Sequence, residues 1–114
     1  MTEIKIPRQA DEMDEALSEW ESAIDNFCAK QYEYAELDSI NKAYEASAKK
    51  TFMESGMSAT KAETEVRARD AWLEAMKDLN LKMIEAERYK RLCRLAEAKW
   101  ETARSKYASL RNLK

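Results

Sequence analysis

Met13, Leu17, Trp20, Ile24 and Phe27 recur at alternating steps of four and three residues, with charged and polar side chains filling most positions between them. That spacing puts the apolar residues on one helical stripe, the a/d seam of a coiled coil. After Phe27 the stripe slips, and it is expected to resume at Leu37, Ile40 and Tyr44 and to end near Phe52. A slip of this kind changes supercoiling locally. A second series runs through Trp72, Met76, Leu79, Met83 and Ala86. After another slip it continues through Tyr89, Leu92, Ala96, Trp100, Ala103, Tyr107 and Leu110.

The punctuation between the two series is sparse. The 114 residues include one proline, Pro7, and one glycine, Gly56. Residues 1–9 are expected to form an extended or frayed arm that ends around Pro7 and Arg8. The first helix is predicted over about 10–53, with Gly56 in the left-handed position that closes a helix at low cost. Ser58 is a good N-cap, and Thr60 with Glu63 offers an alternative capping box. A short helix is predicted over about 59–68. Asp70 precedes an apolar run and reads as a new N-cap, so a third helix is predicted over about 71–112. The alternative is one unbroken helix from 59 to 112.

These elements predict an all-α fold, a long antiparallel helical hairpin with a short connecting helix, in one domain spanning 10–114. Arms over 10–53 and 70–113 would each reach about 66 Å at 1.5 Å per residue. Helices this long need the burial of a seam to be stable. Two helices cannot enclose side chains as large as Trp and Tyr, so a homodimer in a four-helix arrangement is expected. With matched arms, Cys28 is expected near Cys93 or Leu95, and Arg111 near Asp11.

Composition narrows the function classes. Ala, Glu, Lys, Arg and Leu dominate, as in coiled coils and long helices. Trp, Tyr, Met and Leu are too frequent for a disordered polyampholyte. No stretch is apolar enough to span a membrane. The first residues carry no apolar h-region, so a cytoplasmic location is expected. Cys28 and Cys93 are too far apart for a metal knuckle and read as buried small side chains in a reducing compartment.

Charge is distributed unevenly. Residues 1–60 carry 6 basic against 13 acidic side chains, and residues 61–114 carry 14 against 9. A basic C-terminal helix can track a phosphate backbone. It can equally lie antiparallel on an acidic helix with its charges satisfied internally. On the second reading, Arg104 and Arg111 are neutralised by Asp11, Asp14, Glu15 and Glu19. Arg88, Lys90, Arg91 and Arg94, opposite Lys30 and Gln31, then form the one patch left net positive, a site for weak single-stranded DNA or partner contact. Asp11, Asp14, Glu15 and Glu19 form a possible acidic partner face.

Catalytic chemistry has little to draw on. The chain has no histidine, which removes the commonest general base and metal ligand and the usual partner of a nucleophilic Ser or Cys. A single glycine precludes a glycine-rich phosphate loop. The acidic run from Asp11 to Glu21 lies in the first helical turns, where carboxylates favour the helix dipole. No enzyme activity, small-molecule substrate, cofactor or metal is expected. Trp20, Trp72 and Trp100 read as core packing, and Tyr32 and Tyr34 as the aromatic side chains available for exposed contact.

The Gly56-Met57-Ser58 turn leads to a short charged helix ending in Ala68-Arg69-Asp70. A second long helix ends in Trp-x-x-Ala-Arg-x-x-Tyr-x-x-Leu-Arg-Asn-Leu, from Trp100 to Leu113. Over residues 30–113 this resembles the small coil-containing proteins of tailed-phage early regions, often encoded beside a single-strand annealing recombinase or a single-strand DNA-binding protein. The resemblance implies an accessory role in DNA recombination or replication, through a protein partner or single-stranded DNA. Two alternatives stand beside it, an inhibitor of a host defence or repair nuclease working through the acidic helix, and a homo-oligomeric structural adaptor.

Overall fold

The computed structural model describes residues 8–112, with side chains from Ala10 onward; the rest of the expected N-terminal arm, residues 1–7, lies outside the described residues. The chain is all-α, with α1 over Arg8–Glu54, α2 over Ala59–Arg67 and α3 over Asp70–Asn112. The predicted boundaries hold to within about two residues, and the break between α2 and α3 is real. Two compact units divide the chain, one of residues 1–29 with 87–114 and one of residues 30–86. In each, a segment of α1 pairs antiparallel with a segment of α3, the hairpin topology expected from the spacing.

Local chemistry explains each helix end. At the end of α1, the Met57 amide donates to the Phe52 carbonyl (3.2 Å) and the Gly56 amide to that of Met53 (3.0 Å). These are the two bonds of a Schellman cap. Gly56 takes φ +105°, and a Cβ there would meet no atom within 4 Å, so the need for glycine is conformational and not steric. The Ser58 hydroxyl then caps α2, accepting from the Lys61 amide at 3.2 Å. Between α2 and α3 the expected cap moves by one residue. The Arg69 carbonyl accepts from the Leu73 amide (3.1 Å), so Arg69 is the N-cap. Asp70 is the first helical residue, where its charge still meets the helix dipole.

The seam differs from the expected one in an informative way. In the first unit the inward positions of α1 are Met13, Ala16, Trp20, Ala23 and Phe27, and those of α3 are Tyr89, Cys93, Ala96, Trp100, Ala103 and Tyr107. Trp20 and Trp100 meet across it with ring centroids 5.1 Å apart. In the second unit the inward positions are Lys30, Tyr34, Leu37, Asn41, Glu45, Ala48 and Phe52 on α1, and Trp72, Ala75, Leu79, Lys82 and Ala86 on α3. On α1 the three-four alternation continues unbroken through residue 41, with one longer step at Glu45. On α3 it never slips. The predicted slips at Phe27 and Ala86 are therefore corrected, because lysine, asparagine, cysteine and alanine occupy seam positions that an apolar count skips. Ile40, Tyr44, Met83, Leu92 and Leu110, expected on the seam, are exposed, and Leu17 and Ile24 are only marginally covered.

Polar contacts set the pairing in the second unit. Asn41, buried on the seam, donates from Nδ2 to the Ala75 carbonyl at 3.3 Å. Lys30 pairs with Glu85 at 2.6 Å, and Lys82 with Glu33 at 3.2 Å. Lys30 therefore meets Glu85 and not the Arg88–Arg94 segment, a pairing about one heptad tighter than expected there. Ala62 and Val66 of α2 are fully buried in this unit. Arg67 ties α2 to α1 through Glu45 at 3.0 Å.

Candidate interaction surfaces

The basic residues of α3 fall into two groups. Lys82, Lys99 and Arg104 are paired: Lys82 with Glu33, Lys99 with Glu19 at 2.8 Å, and Arg104 with Glu101 at 2.9 Å. The Glu19 hydrogen bond raises the Lys99 pKa above its ordinary value. Arg88, Arg91 and Arg94 are exposed and Lys90 is half-exposed, and none of the four forms an ion pair among the described residues. Arg88, Arg91 and Arg94 are spaced by three residues, so successive guanidiniums step around the solvent side of α3. Leu92 and Leu95 lie exposed among them. The cluster combines unneutralised charge with apolar surface, the pairing of features that suits a polyanion with stacked bases or an acidic, apolar protein segment.

The acidic candidates on α1 behave differently from expectation. Asp11, Asp14, Glu15 and Glu19 are all exposed. Only Glu19 takes a cation from α3, and that cation is Lys99. Arg104 turns instead to Glu101 on its own helix, with its guanidinium 5.2 Å from the Trp100 ring centre. Arg111 makes no ion pair with Asp11. The expected neutralisation of Arg104 and Arg111 by the acidic run is corrected on both counts, because the seam register brings Lys99 to Glu19. No group of three or more acidic or thiol side chains gathers into a metal-sized cluster among the described residues.

Two open grooves flank the first unit, with volumes of about 800 and 430 Å³. Both are edged by Glu12, Thr102 and Lys106, and the smaller is floored by Ala16 and Ala103. Their linings mix charges and hydroxyls without a nucleophile set beside a base. Cys93 sits half-buried on the seam, where burial, with the nearby Cys28 and Glu97, pushes its thiol pKa up. That places Cys28 near Cys93, as expected, although Cys28 is itself exposed. Tyr32 is exposed as predicted, whereas Tyr34 belongs to the seam.

What the residue pattern concealed was the extent of exposed apolar surface. Leu73, Leu81, Met83 and Ile84 in the second unit face outward together with Ile40 and Tyr44. The signal was present as a second, interleaved apolar series on α3, which merges with the seam series when only hydrophobic positions are counted. No helix among the described residues is long and apolar enough to cross a membrane. No protein-family model, characterised protein or solved structure matches the chain.

Proposed function

We propose that this protein works by binding and not by catalysis, as a phage-type accessory of DNA recombination or replication that engages a protein partner or single-stranded DNA. The observation that carries the reading is the unpaired state of Arg88, Arg91 and Arg94 on a helix whose other basic residues include three held in ion pairs. Leaving exposed guanidiniums together without partners costs self-repulsion, which a phosphate backbone relieves. The resemblance over residues 30–113 gives the biological setting, and the absence of histidine from the sequence supports a non-catalytic role.

Fluorescence anisotropy with a labelled single-stranded oligonucleotide tests this reading. Weak, sequence-independent binding is expected at low salt. With four cations engaged, affinity should fall roughly 50-fold between about 50 and 200 mM salt. A variant with Arg88, Lys90, Arg91 and Arg94 changed to Gln should lose most of the binding. Tight binding that survives both salt and substitution overturns the assignment to these residues. Absence of binding at every salt concentration transfers the role to a protein partner.

A second reading draws on Asp11 and Asp14, which are exposed and form no ion pair among the described residues. Carboxylates spaced along a helix imitate a phosphate row, the basis for inhibition of a host nuclease. Competition between this protein and DNA for a purified nuclease, lost on changing Asp11, Asp14 and Glu15 to neutral amides, separates the two.

A further inference from the structure

We infer that Arg88, Arg91, Leu92 and Leu95 of the first unit form one docking face, and that its occupant is an acidic segment of a partner protein carrying large apolar side chains. The inference rests on the proposed function and deepens it, choosing a protein partner over single-stranded DNA for this face. Helical geometry defines the face. At 3.6 residues per turn, the four side chains fall within an arc of about 100°. Leu92 follows Arg88 by one turn and Leu95 follows Arg91 by one turn, so each arginine stands next to a leucine. Lys90 and Arg94 turn toward the other flank of α3 and leave the face. Leu92 is 44% exposed and Leu95 66%.

Two observations select the occupant. The first is charge. Arg88 and Arg91 are exposed and form no ion pair among the described residues, so the face attracts anions. Carboxylates suit guanidiniums, which grip them with two parallel hydrogen bonds. One turn beyond Leu95 the same side of α3 carries Ala98, Lys99 and Thr102, which line the smaller groove. There the charges are already balanced, with Glu12 and Glu15 against Lys99 and Lys106, and Lys99 is held by Glu19. The carboxylates of the segment therefore belong at the arginine end, and its apolar part runs over the leucines toward the groove.

The second is the kind of apolar side chain. Single strands gain affinity by stacking their bases on aromatic rings. The aromatic residues of α3 in this unit, Tyr89, Trp100 and Tyr107, are half-buried on the seam, and Trp100 is packed against Trp20. Leu92 and Leu95 offer a base no ring to stack on. A phosphate backbone would neutralise the two arginines and leave both leucines in water. A peptide that alternates carboxylates with large apolar side chains engages all four residues, since an apolar side chain laid on a leucine removes surface from water on both partners.

Fluorescence anisotropy at low salt tests it with three labelled probes: a synthetic peptide of alternating Asp and Phe, the same peptide with Ser in place of Phe, and an oligothymidylate. The Asp/Phe peptide should bind the full chain about tenfold more tightly than the Asp/Ser peptide of equal charge. The double variant Leu92→Ser, Leu95→Ser changes only exposed positions and should keep its helical circular dichroism. It should lose that tenfold preference and bind the oligothymidylate as the native protein does. Arg88→Gln with Arg91→Gln should weaken both peptides, whereas Lys90→Gln with Arg94→Gln should leave the preference intact. Equal binding of the two peptides, or a preference that survives the loss of both leucines, overturns this inference and leaves the anion-binding reading standing. Loss of oligothymidylate binding in the leucine variant overturns it in favour of a nucleic-acid face. Failure of all three probes to bind overturns the underlying assignment to the arginines as well.

Discussion

Glu85 shows how a single side chain reports on the pairing of two helices. The hydrogen bond from Lys30 holds its pKa below the usual glutamate value, a shift that burial partly opposes. A carboxylate whose pKa is lowered by folding contributes stability at pH values above its unfolded pKa, and loses that contribution as pH falls through the folded value. Thermal melts across pH 7 to 3 should therefore show Glu85→Gln less stable than the native protein near neutrality and closer to it in acid. Both charges lie near the surface, so added salt should narrow the neutral-pH difference. A variant melting like the native protein at every pH would mean that the pair contributes nothing. Lys30 also shows what the residue pattern left hidden. Read by hydropathy it interrupts a stripe, yet its long aliphatic stem covers seam surface while its ammonium reaches out to carboxylates. The same misreading turned Tyr34, Asn41 and Lys82 into gaps and promoted Ile40, Met83 and Leu92 to the core. Charge complementarity was legible as a total and not as partners, because a register one heptad tighter in the second unit reassigns the partners there.

At the scale of elements, helix ends were the most legible feature because they depend on short-range chemistry. Gly56, Ser58 and the break before α3 could be read from the residues, and only the identity of the last cap moved, from Asp70 to Arg69. Those ends also yield a quantitative expectation. Ser58→Ala removes the side-chain acceptor for the Lys61 amide and should cost about 1 kcal/mol. Gly56→Ala forces an L-residue to φ +105° with no steric clash beyond the backbone itself, and should cost about 1 kcal/mol or more. Chemical denaturation checks both, with the midpoint falling and the slope unchanged. If Gly56→Ala were neutral, the Schellman cap would not be holding the end of α1. The helix α2 adds to the core of the second unit through Ala62 and Val66, one turn apart and both fully buried, so it is more than a spacer.

For the whole molecule, the balance between exposed and buried surface governs behaviour in solution. Among the described residues five apolar side chains are buried, a thin core, and any copy-to-copy contact that covers exposed apolar surface adds directly to its stability. Stability linked to association depends on concentration. The melting temperature should accordingly rise by several degrees between about 1 and 100 μM protein, and this rise should shrink in a variant with the exposed Met83 and Ile84 changed to Glu. A concentration-independent melt of the native protein would mean that the thin core suffices alone. The all-α class, the antiparallel order and the number of helices were readable because each rests on periodicity and a few cap residues. Which apolar residues remain outside was not, since two interleaved stripes on one helix cannot be separated until the partner helix is placed.

The tie between Asn41 and Ala75 and that between Lys82 and Glu33 carry a consequence for how this chain can change over time. Both connect α1 to α3, and the spacing from Glu33 to Asn41 on one arm matches that from Ala75 to Lys82 on the other to within one residue. Inserting or deleting residues in one arm alone would slide the ties out of step, leaving an amide buried without its carbonyl and a lysine facing the wrong neighbour. Length can vary here only in whole heptads and only in both arms at once, so among descendants of this sequence the two arms should grow or shrink together while point substitutions accumulate freely on the outer faces.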